Sequence, residues 1–266
     1  MRAPAGERLV GVLANHPRSH KEALALSALT YARATAQWLT PHGKPVTFHY
    51  RVDTNDWNTI SSTMAPHNEY AIPEGLTGVA VDLGAYLGSV AISLAVDNPD
   101  LRVIAVEPVP PNADLIEQNI AANGLGDRIE LIRGAIGGPD DDEIKVWYGY
   151  QGNVSAEHHA FVGNSTLAYD HGGELEHEEV LYHRITLSDL VTAYGYIDWL
   201  KIDTEGGEWA FLSDTEGLKH VGTLTGEWHP VRGHVIGDVL ALLDNTHTVT
   251  FSGPQTGPGG FVAVRK

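Results

Sequence analysis

At 266 residues, 42% hydrophobic and 19% charged, the chain can bury one sizeable core and carry a small appended segment. Seventeen Lys and Arg against 34 Asp and Glu give a formal charge of −17, which would repel a polyphosphate backbone, so nucleic acid is not expected as a substrate. The absence of cysteine excludes disulfides, thiolate catalysis and cysteine-based zinc sites.

The first residues carry no long apolar stretch after their basic side chains, and no later segment approaches ~18 uninterrupted apolar residues. A cytoplasmic protein with no membrane partner is the simplest expectation. In residues 21–39, Leu24, Ala28, Tyr31, Ala32, Thr35 and Leu39 recur at helical spacing before Pro41-His42-Gly43. That predicts a helical N-terminal extension, residues 1–70, serving as a cap or as the contact of a homo-oligomer. A short strand follows at 46–50, and residues 51–56 read as a polar turn.

From about Ile72, short apolar runs alternate with helical stretches. Strands are expected at 79–83, 102–107 and 129–133, with helices at 88–96 and 112–123, the latter closed by Gly124. Between 139 and 187 two strands, 144–148 and 180–185, enclose a His- and Gly-rich loop containing His158, His159 and His171. His177 and His183 flank it, and a loop of this length is expected to shape a substrate pocket. Alternation resumes with a helix at 187–194, a strand at 197–203, a helix from about 208, a strand at 223–228 and a helix at 235–243. Strands at 246–251 and 260–264 finish the chain. This order predicts an α/β domain over residues 71–266: a mostly parallel sheet covered on both faces, with an antiparallel C-terminal hairpin.

Val81-Asp82-Leu83-Gly84-Ala85-Tyr86-Leu87-Gly88 puts a glycine turn at the carboxyl end of the first strand of that domain, where open α/β sheets bind ligands. Glu107 ends the next strand, 25 residues after Asp82, at the spacing of an acid that accepts ribose hydroxyls. Either a dinucleotide or S-adenosylmethionine fits such a pair. A pyrophosphate favours the denser G-x-G-x-x-G turn, however, and here the second glycine position is Tyr86. Asp82 would also repel a pyrophosphate, while it suits the ammonium and sulfonium of S-adenosylmethionine.

Several further motifs join these: Val106-Glu107-Pro108, Asn119 to Asn123, Gly134-Ala135-Ile136-Gly137, Thr186-Leu187-Ser188-Asp189-Leu190 and Lys201-Ile202-Asp203-Thr204-Glu205-Gly206-Gly207-Glu208. Together they resemble the FkbM family of methyltransferases from about Arg51 to the C-terminus. The resemblance implies a Rossmann-like class I methyltransferase fold with seven strands, S-adenosylmethionine as cofactor, and O-methylation of a hydroxyl on a small secondary metabolite or glycoside. By the same resemblance Asp82, Gly84, Tyr86 and Gly88 line the methionine end, Glu107 and Pro108 the ribose, and Ala135 the adenine. Thr54, Asn55 and Asp56 look like the family's Thr-Ser-Asp segment, which closes over the amino-acid end. Asn55 departs from that pattern, and so does Tyr86, where the family usually has Asn.

Methyl transfer to a hydroxyl needs alignment of the acceptor and removal of its proton. Asp203, at the end of the central strand, is a candidate for both cofactor and acceptor, with a helix N-cap as its structural counterpart. Glu205 follows it as a second candidate, and Glu208 reads as a partner of the helix dipole. His229, after the next strand, is the candidate general base, its ordinary pKa being ~6.5. Asp203, Glu227 and His229 suggest a divalent cation only weakly, and no metal is expected. The tryptophans Trp57, Trp147, Trp199, Trp209 and Trp228 read as core or interface. Cyclisation or fragmentation of the cofactor, or an NAD-dependent dehydrogenase on the same turn, are the competing readings.

Overall fold

The central apolar runs of the sequence become strands buried on both faces, the condition of a parallel sheet covered by helices. The computed structural model describes residues 32–52, 54–68, 70–149, 161–162, 177–204, 206–229, 234–253 and 259–266. In chain order the elements are β1 (Arg33–Leu39), β2 (Pro45–Arg51), α1 (Asp56–Met64), β3 (Gly78–Leu83), α2 (Ser89–Asp97), β4 (Leu101–Val106), α3 (Pro110–Ala122), β5 (Ile129–Ile132) and β6 (Ala135–Ile136). The chain continues through β7 (Glu143–Gly149), β8 (Phe161–Val162), β9 (His177–Ile185), α4 (Leu187–Tyr194), β10 (Ile197–Ile202), α5 (Glu208–Leu212) and α6 (Thr215–Leu218). It ends with β11 (Val221–Trp228), α7 (Ile236–Leu243), β12 (His247–Ser252) and β13 (Gly259–Arg265).

Seven strands form the main sheet in the order β12-β13-β11-β10-β3-β4-β5. All neighbours from β11 to β5 are parallel, and β13 alone runs against both β11 and β12. The expected fold class is therefore found, including the antiparallel C-terminal hairpin. Ala80, Val103, Ala105 and Trp199 pack on one face with α1, α2 and α3, whereas Val81, Leu83, Ile104 and Leu200 pack on the other with α4 to α7. Order reverses between β3 and β10, so the carboxyl ends of β3, β4, β10 and β11 converge at a topological switch point, where such sheets bind ligands. A smaller sheet has the order β6-β9-β7-β8, and its strand β6 follows β5 directly in the chain. His177 and His183 lie on its strand β9, while His158, His159 and His171 lie outside the described residues.

The N-terminal portion corrects one expectation. Of the span read as a helix, the described part, Arg33–Leu39, is strand β1, antiparallel to β2. Ala34, Ala36 and Trp38 are half-buried while Arg33, Thr35, Gln37 and Leu39 are exposed, a period of two that governs once β2 supplies a partner edge. The other edge of β2 meets α3. Asn119 Oδ1 accepts from His49 N–H at 2.7 Å and Asn119 Nδ2 donates to His49 O at 3.2 Å. One helical turn on, Asn123 does the same for Thr47 at 2.8 and 2.7 Å. Two side-chain amides at i and i+4 thus replace a neighbouring strand and satisfy an edge that would otherwise be orphaned. Among the described residues no helix is long and apolar enough to cross a membrane.

Replacing the buried Asn119 by Leu leaves the His49 amide and the Leu87 carbonyl without their partner. We expect a loss of about 1–3 kcal/mol in thermal or urea unfolding. An unchanged unfolding midpoint would show that the amide clamp does not hold β2.

Candidate functional site

The glycine turn is built by contact with β10. Gly84 has φ +72°, and a Cβ there would lie 1.8 Å from the carbonyl oxygen of Asp203. Only glycine meets both the conformation and the approach. The N–H groups of Gly84 and Ala85 both donate to Val106 O, at 3.0 and 3.1 Å, which pulls the turn over the end of β4. Gly88, at φ +88°, is the N-cap of α2. Between them Tyr86 also takes a left-handed φ of +54°, uncommon for a side chain of its size.

Glu107 follows β4 and is 4% exposed. Its Oε2 accepts from Tyr86 N–H at 2.8 Å, and its Oε1 accepts from Val109 N–H at 2.9 Å and from Asn112 Nδ2 at 3.3 Å. Burial pushes the carboxyl up to about 7, against the opposing pull of those hydrogen bonds.

A cavity of about 470 Å³ opens at this edge, within the ~300–1,000 Å³ typical of small-ligand and cofactor pockets. Of the residues assigned to the cofactor from sequence, Gly84, Tyr86, Glu107, Pro108, Ala135 and Asp203 line it. Asp82, Gly88, Thr54 and Asp56 stand outside that lining. Asp82 is fully buried beneath the turn, accepting from Ala91 N–H at 3.1 Å. Thr54 and Asp56 belong to a bonded layer behind the wall: Thr54 Oγ1 donates to Arg51 O at 2.9 Å, and Asp56 is gripped by Arg51 at 2.8 Å. The facing wall, which the sequence left unassigned, is α1 with Asn58, Thr59, Ser62 and Thr63. Thr63 and Ser89 hydroxyls meet at 3.0 Å, joining α1 to the start of α2.

The lining suits an adenosyl amino acid. Glu107 offers an acceptor that a sugar hydroxyl could use, the residues around Val106, Pro108, Ala135 and Ile136 offer apolar surface on which a purine could pack, and the hydroxyls and amides of α1 offer partners for an amino-acid end.

Lys201 holds the centre. Its buried ammonium lies 3.2 Å from Asp82 and 3.8 Å from Asp203, and donates to Leu83 O at 3.2 Å and Gly84 O at 2.7 Å. Burial alone would lower its pKa, but Asp82 and Asp203 outweigh that and keep it charged. Tyr70 completes the arrangement: its ring lies 5.2 Å from the ammonium, and its hydroxyl donates to Asp203 Oδ2 at 2.8 Å. Neither Lys201 nor Tyr70 was given a role from sequence. The Tyr70 bond spans 133 residues, so no local pattern announces it.

Asp203 and Glu227, at the ends of the adjacent strands β10 and β11, both line the cavity. His229 stands behind Glu227, its Nε2 3.5 Å from Glu227 Oε2 and its Nδ1 3.2 Å from Glu208 Oε1. Glu208 is fully buried and accepts from Thr204 N–H at 2.9 Å and Gly206 N–H at 3.1 Å. Asp203, Glu208 and His229 each bring one possible ligand atom within 4.8 Å of the others. Within this group Glu208 and His229 form a carboxylate–imidazole pair beside Asp203. Glu205 lies outside the described residues.

Because the folded-state pKa of Glu107 is raised from 4.5 to about 7, its contribution to stability is full below the ordinary value and is lost as pH rises through 7. We expect the ligand-free protein to lose stability between pH 5 and pH 8, with Glu107 accounting for about 3 kcal/mol of that loss. Glu107→Gln should flatten this part of a thermal-unfolding profile. A variant profile parallel to that of the wild type would contradict it.

Residues 82–247 match the family description "Methyltransferase FkbM domain". Over 56 residues the chain is 43% identical to O-methyltransferase imqG of Aspergillus flavus, a match covering 21% of this chain and 23% of that protein. Over 63 residues it is 36% identical to ribosomal RNA small subunit methyltransferase G of Frankia alni, covering 24% and 23%. The alignment thus spans less than a quarter of either curated relative. Among solved structures, precorrin-6y C5,15-methyltransferase of Geobacter metallireducens is 12% identical with a TM-score of 0.43, over 79% of this chain and 87% of that one. The N-terminal domain of human METTL16 in complex with SAH is 12% identical with a TM-score of 0.37, over 72% and 63%. The family match covers more than half of the chain and takes in the glycine turn, Glu107, Ala135, Lys201, Asp203 and His229. The chain belongs to the FkbM methyltransferase family, whose cofactor is S-adenosylmethionine.

Proposed function

We propose that the protein catalyses O-methylation of a hydroxyl on a small molecule, a secondary metabolite or a glycoside. S-adenosylmethionine supplies an electrophilic methyl group on a sulfonium. Glu107 holds the ribose, Pro108 and Ala135 border the adenine, and the turn around Gly84 with the polar face of α1 accommodates the methionine end.

The observation that carries the reading is the pair of carboxylates on the cavity wall, set in different surroundings. Asp203 is tied to the Lys201 ammonium and receives the Tyr70 hydroxyl, so it is suited to orienting the acceptor and balancing positive charge. Glu227 has an imidazole at 3.5 Å behind it. It is suited to taking the acceptor's proton, with His229 sharing the charge and Glu208 orienting the ring, the arrangement in which a base is steadied by a third group. Two titratable groups divided in this way between electrostatic and proton-transfer roles are a recurring solution in active sites. The net charge of −17 weighs against an RNA or DNA acceptor, although one relative is named for ribosomal RNA methylation.

Incubation with methyl-labelled S-adenosylmethionine and a panel of hydroxylated metabolites and glycosides tests this directly. Label should appear on an acceptor with one S-adenosylhomocysteine formed per transfer. Glu227→Gln and His229→Asn should each lower kcat by about 10²-fold or more, the scale of general-base catalysis, with cofactor affinity changed only a few-fold. Methylthioadenosine formed without any acceptor would instead identify fragmentation of the cofactor as the reaction. Variants with wild-type kcat would remove Glu227 and His229 from the chemistry.

A further inference from the structure

Residues of β2, α1, the glycine turn and α3 close a hydrogen-bonded ring on Glu107, in which Tyr86, Asn112 and Glu107 line the cavity and Arg51 and Asp56 stand outside its lining. Tyr86 supplies two links: its N–H donates to Glu107 Oε2 at 2.8 Å and its hydroxyl donates to Asp56 Oδ1 at 2.7 Å. Arg51 grips Asp56 with a fork, Nη2 to Oδ1 at 2.8 Å and Nε to Oδ2 at 2.9 Å. The remaining arm of the guanidinium, Nη1, donates to Asn112 Oδ1 at 2.8 Å, and Asn112 Nδ2 returns to Glu107 Oε1 at 3.3 Å. Arg51, Asp56, Asn112 and Glu107 are each no more than 5% exposed, and the guanidinium carbon lies 5.4 Å from the centre of the Tyr86 ring inside the circuit.

Three features separate this ring from an ordinary buried ion pair. It closes on a carboxylate that lines the cavity. Two of the roughly four acceptor sites of that carboxylate go to ring members, Tyr86 and Asn112, and a third to the Val109 N–H, which fixes its plane and leaves one site for a ligand hydroxyl. The ring also holds Tyr86 at φ +54°, and the same residue supplies both links. Asp56, which the resemblance assigned to the cofactor's amino-acid end, has both oxygens engaged by Arg51, with Tyr86 sharing Oδ1.

We propose that Arg51, Asp56, Tyr86 and Asn112 are positioning residues for Glu107: they set its remaining acceptor site for a hydroxyl of the vicinal diol of the cofactor's ribose and make that grip depend on the N-terminal hairpin. The proposal rests on the family's cofactor and is independent of the acceptor. A structural ring alone would support every ligand of the cavity equally, whereas a positioning ring acts on the diol.

The test is calorimetric titration of S-adenosylhomocysteine and its 2′,3′-dideoxy analogue into the wild type, Tyr86→Phe and Asn112→Ala, each checked for cooperative thermal unfolding. In the wild type, removing the diol should weaken binding by about 30-fold or more, as expected for hydrogen bonds to a carboxylate. Each variant should lose about tenfold in affinity for S-adenosylhomocysteine and less than about twofold for the dideoxy analogue, so that discrimination between the ligands collapses. Parallel weakening of both ligands, with discrimination preserved, overturns the proposal. So does a wild type that does not discriminate between them. Should Asn112→Ala fail to fold, Tyr86→Phe decides alone, because it deletes one hydroxyl and leaves the Arg51 fork on Asp56 intact. A failure of the acceptor reading would appear only in the transfer assay and would leave these affinities unchanged.

Discussion

Glu107 places a carboxyl group at 4% exposure on the cavity wall, and much of the surrounding structure answers that constraint. A charge taken out of water is tolerated only where hydrogen bonds replace its hydration. Tyr86 and Val109 supply backbone donors, and Asn112 adds a side-chain amide. To bring the Tyr86 amide there the turn adopts a left-handed residue, and to keep that residue in place its hydroxyl is tied to Asp56. Asp56 in turn stays ionised because, although burial would raise its pKa, the bonds and charge of Arg51 hold it below the ordinary carboxylate value. A hairpin outside the main sheet is thereby bonded into the wall proposed to hold the nucleoside.

Lys201 performs the matching task on the other side of the turn. One ammonium neutralises Asp82 below the sheet edge, faces Asp203 on the cavity wall and caps two carbonyls of the turn itself. Register explains the economy, since Lys201 pairs with Asp82 across β10 and β3, putting both side chains on the same face at the same height. The site therefore has two electrostatic centres. A buried acid marks the end proposed for the nucleoside, and a lysine-held aspartate with the Glu227–His229–Glu208 series marks the end proposed for the acceptor.

The sequence made the architecture legible wherever burial alone decides structure. Runs such as Val79 to Leu83 and Ile197 to Ile202 are apolar on both faces because helices cover both, and their order implied the sheet. Gly84 and Glu107 were readable because strand ends and spacing identify them. The N-terminal part was misread for a physical reason: Ala34, Ala36 and Trp38 form a strand only against β2, and the residues before them happened to continue a helical period. Helix α1 escaped notice because Asp56, Asn58 and Thr59 give it a mostly polar start, and the face carrying Asn58, Thr59 and Ser62 turns toward the cavity. Arg51, Tyr70, Asn112 and Lys201 gained their roles only in three dimensions. Arg51 and Asn112 are 61 residues apart, and nothing local to either predicts the other.

The most direct measurement is a crystal structure of the protein with S-adenosylhomocysteine bound. The account predicts the ribose hydroxyls within ~2.6–3.2 Å of the Glu107 carboxylate, the adenine beside Ala135, and the sulfur directed toward Asp203 and Tyr70, with the ring from Arg51 to Asn112 intact. A nucleoside bound elsewhere, with Glu107 still holding only its protein partners, would contradict it.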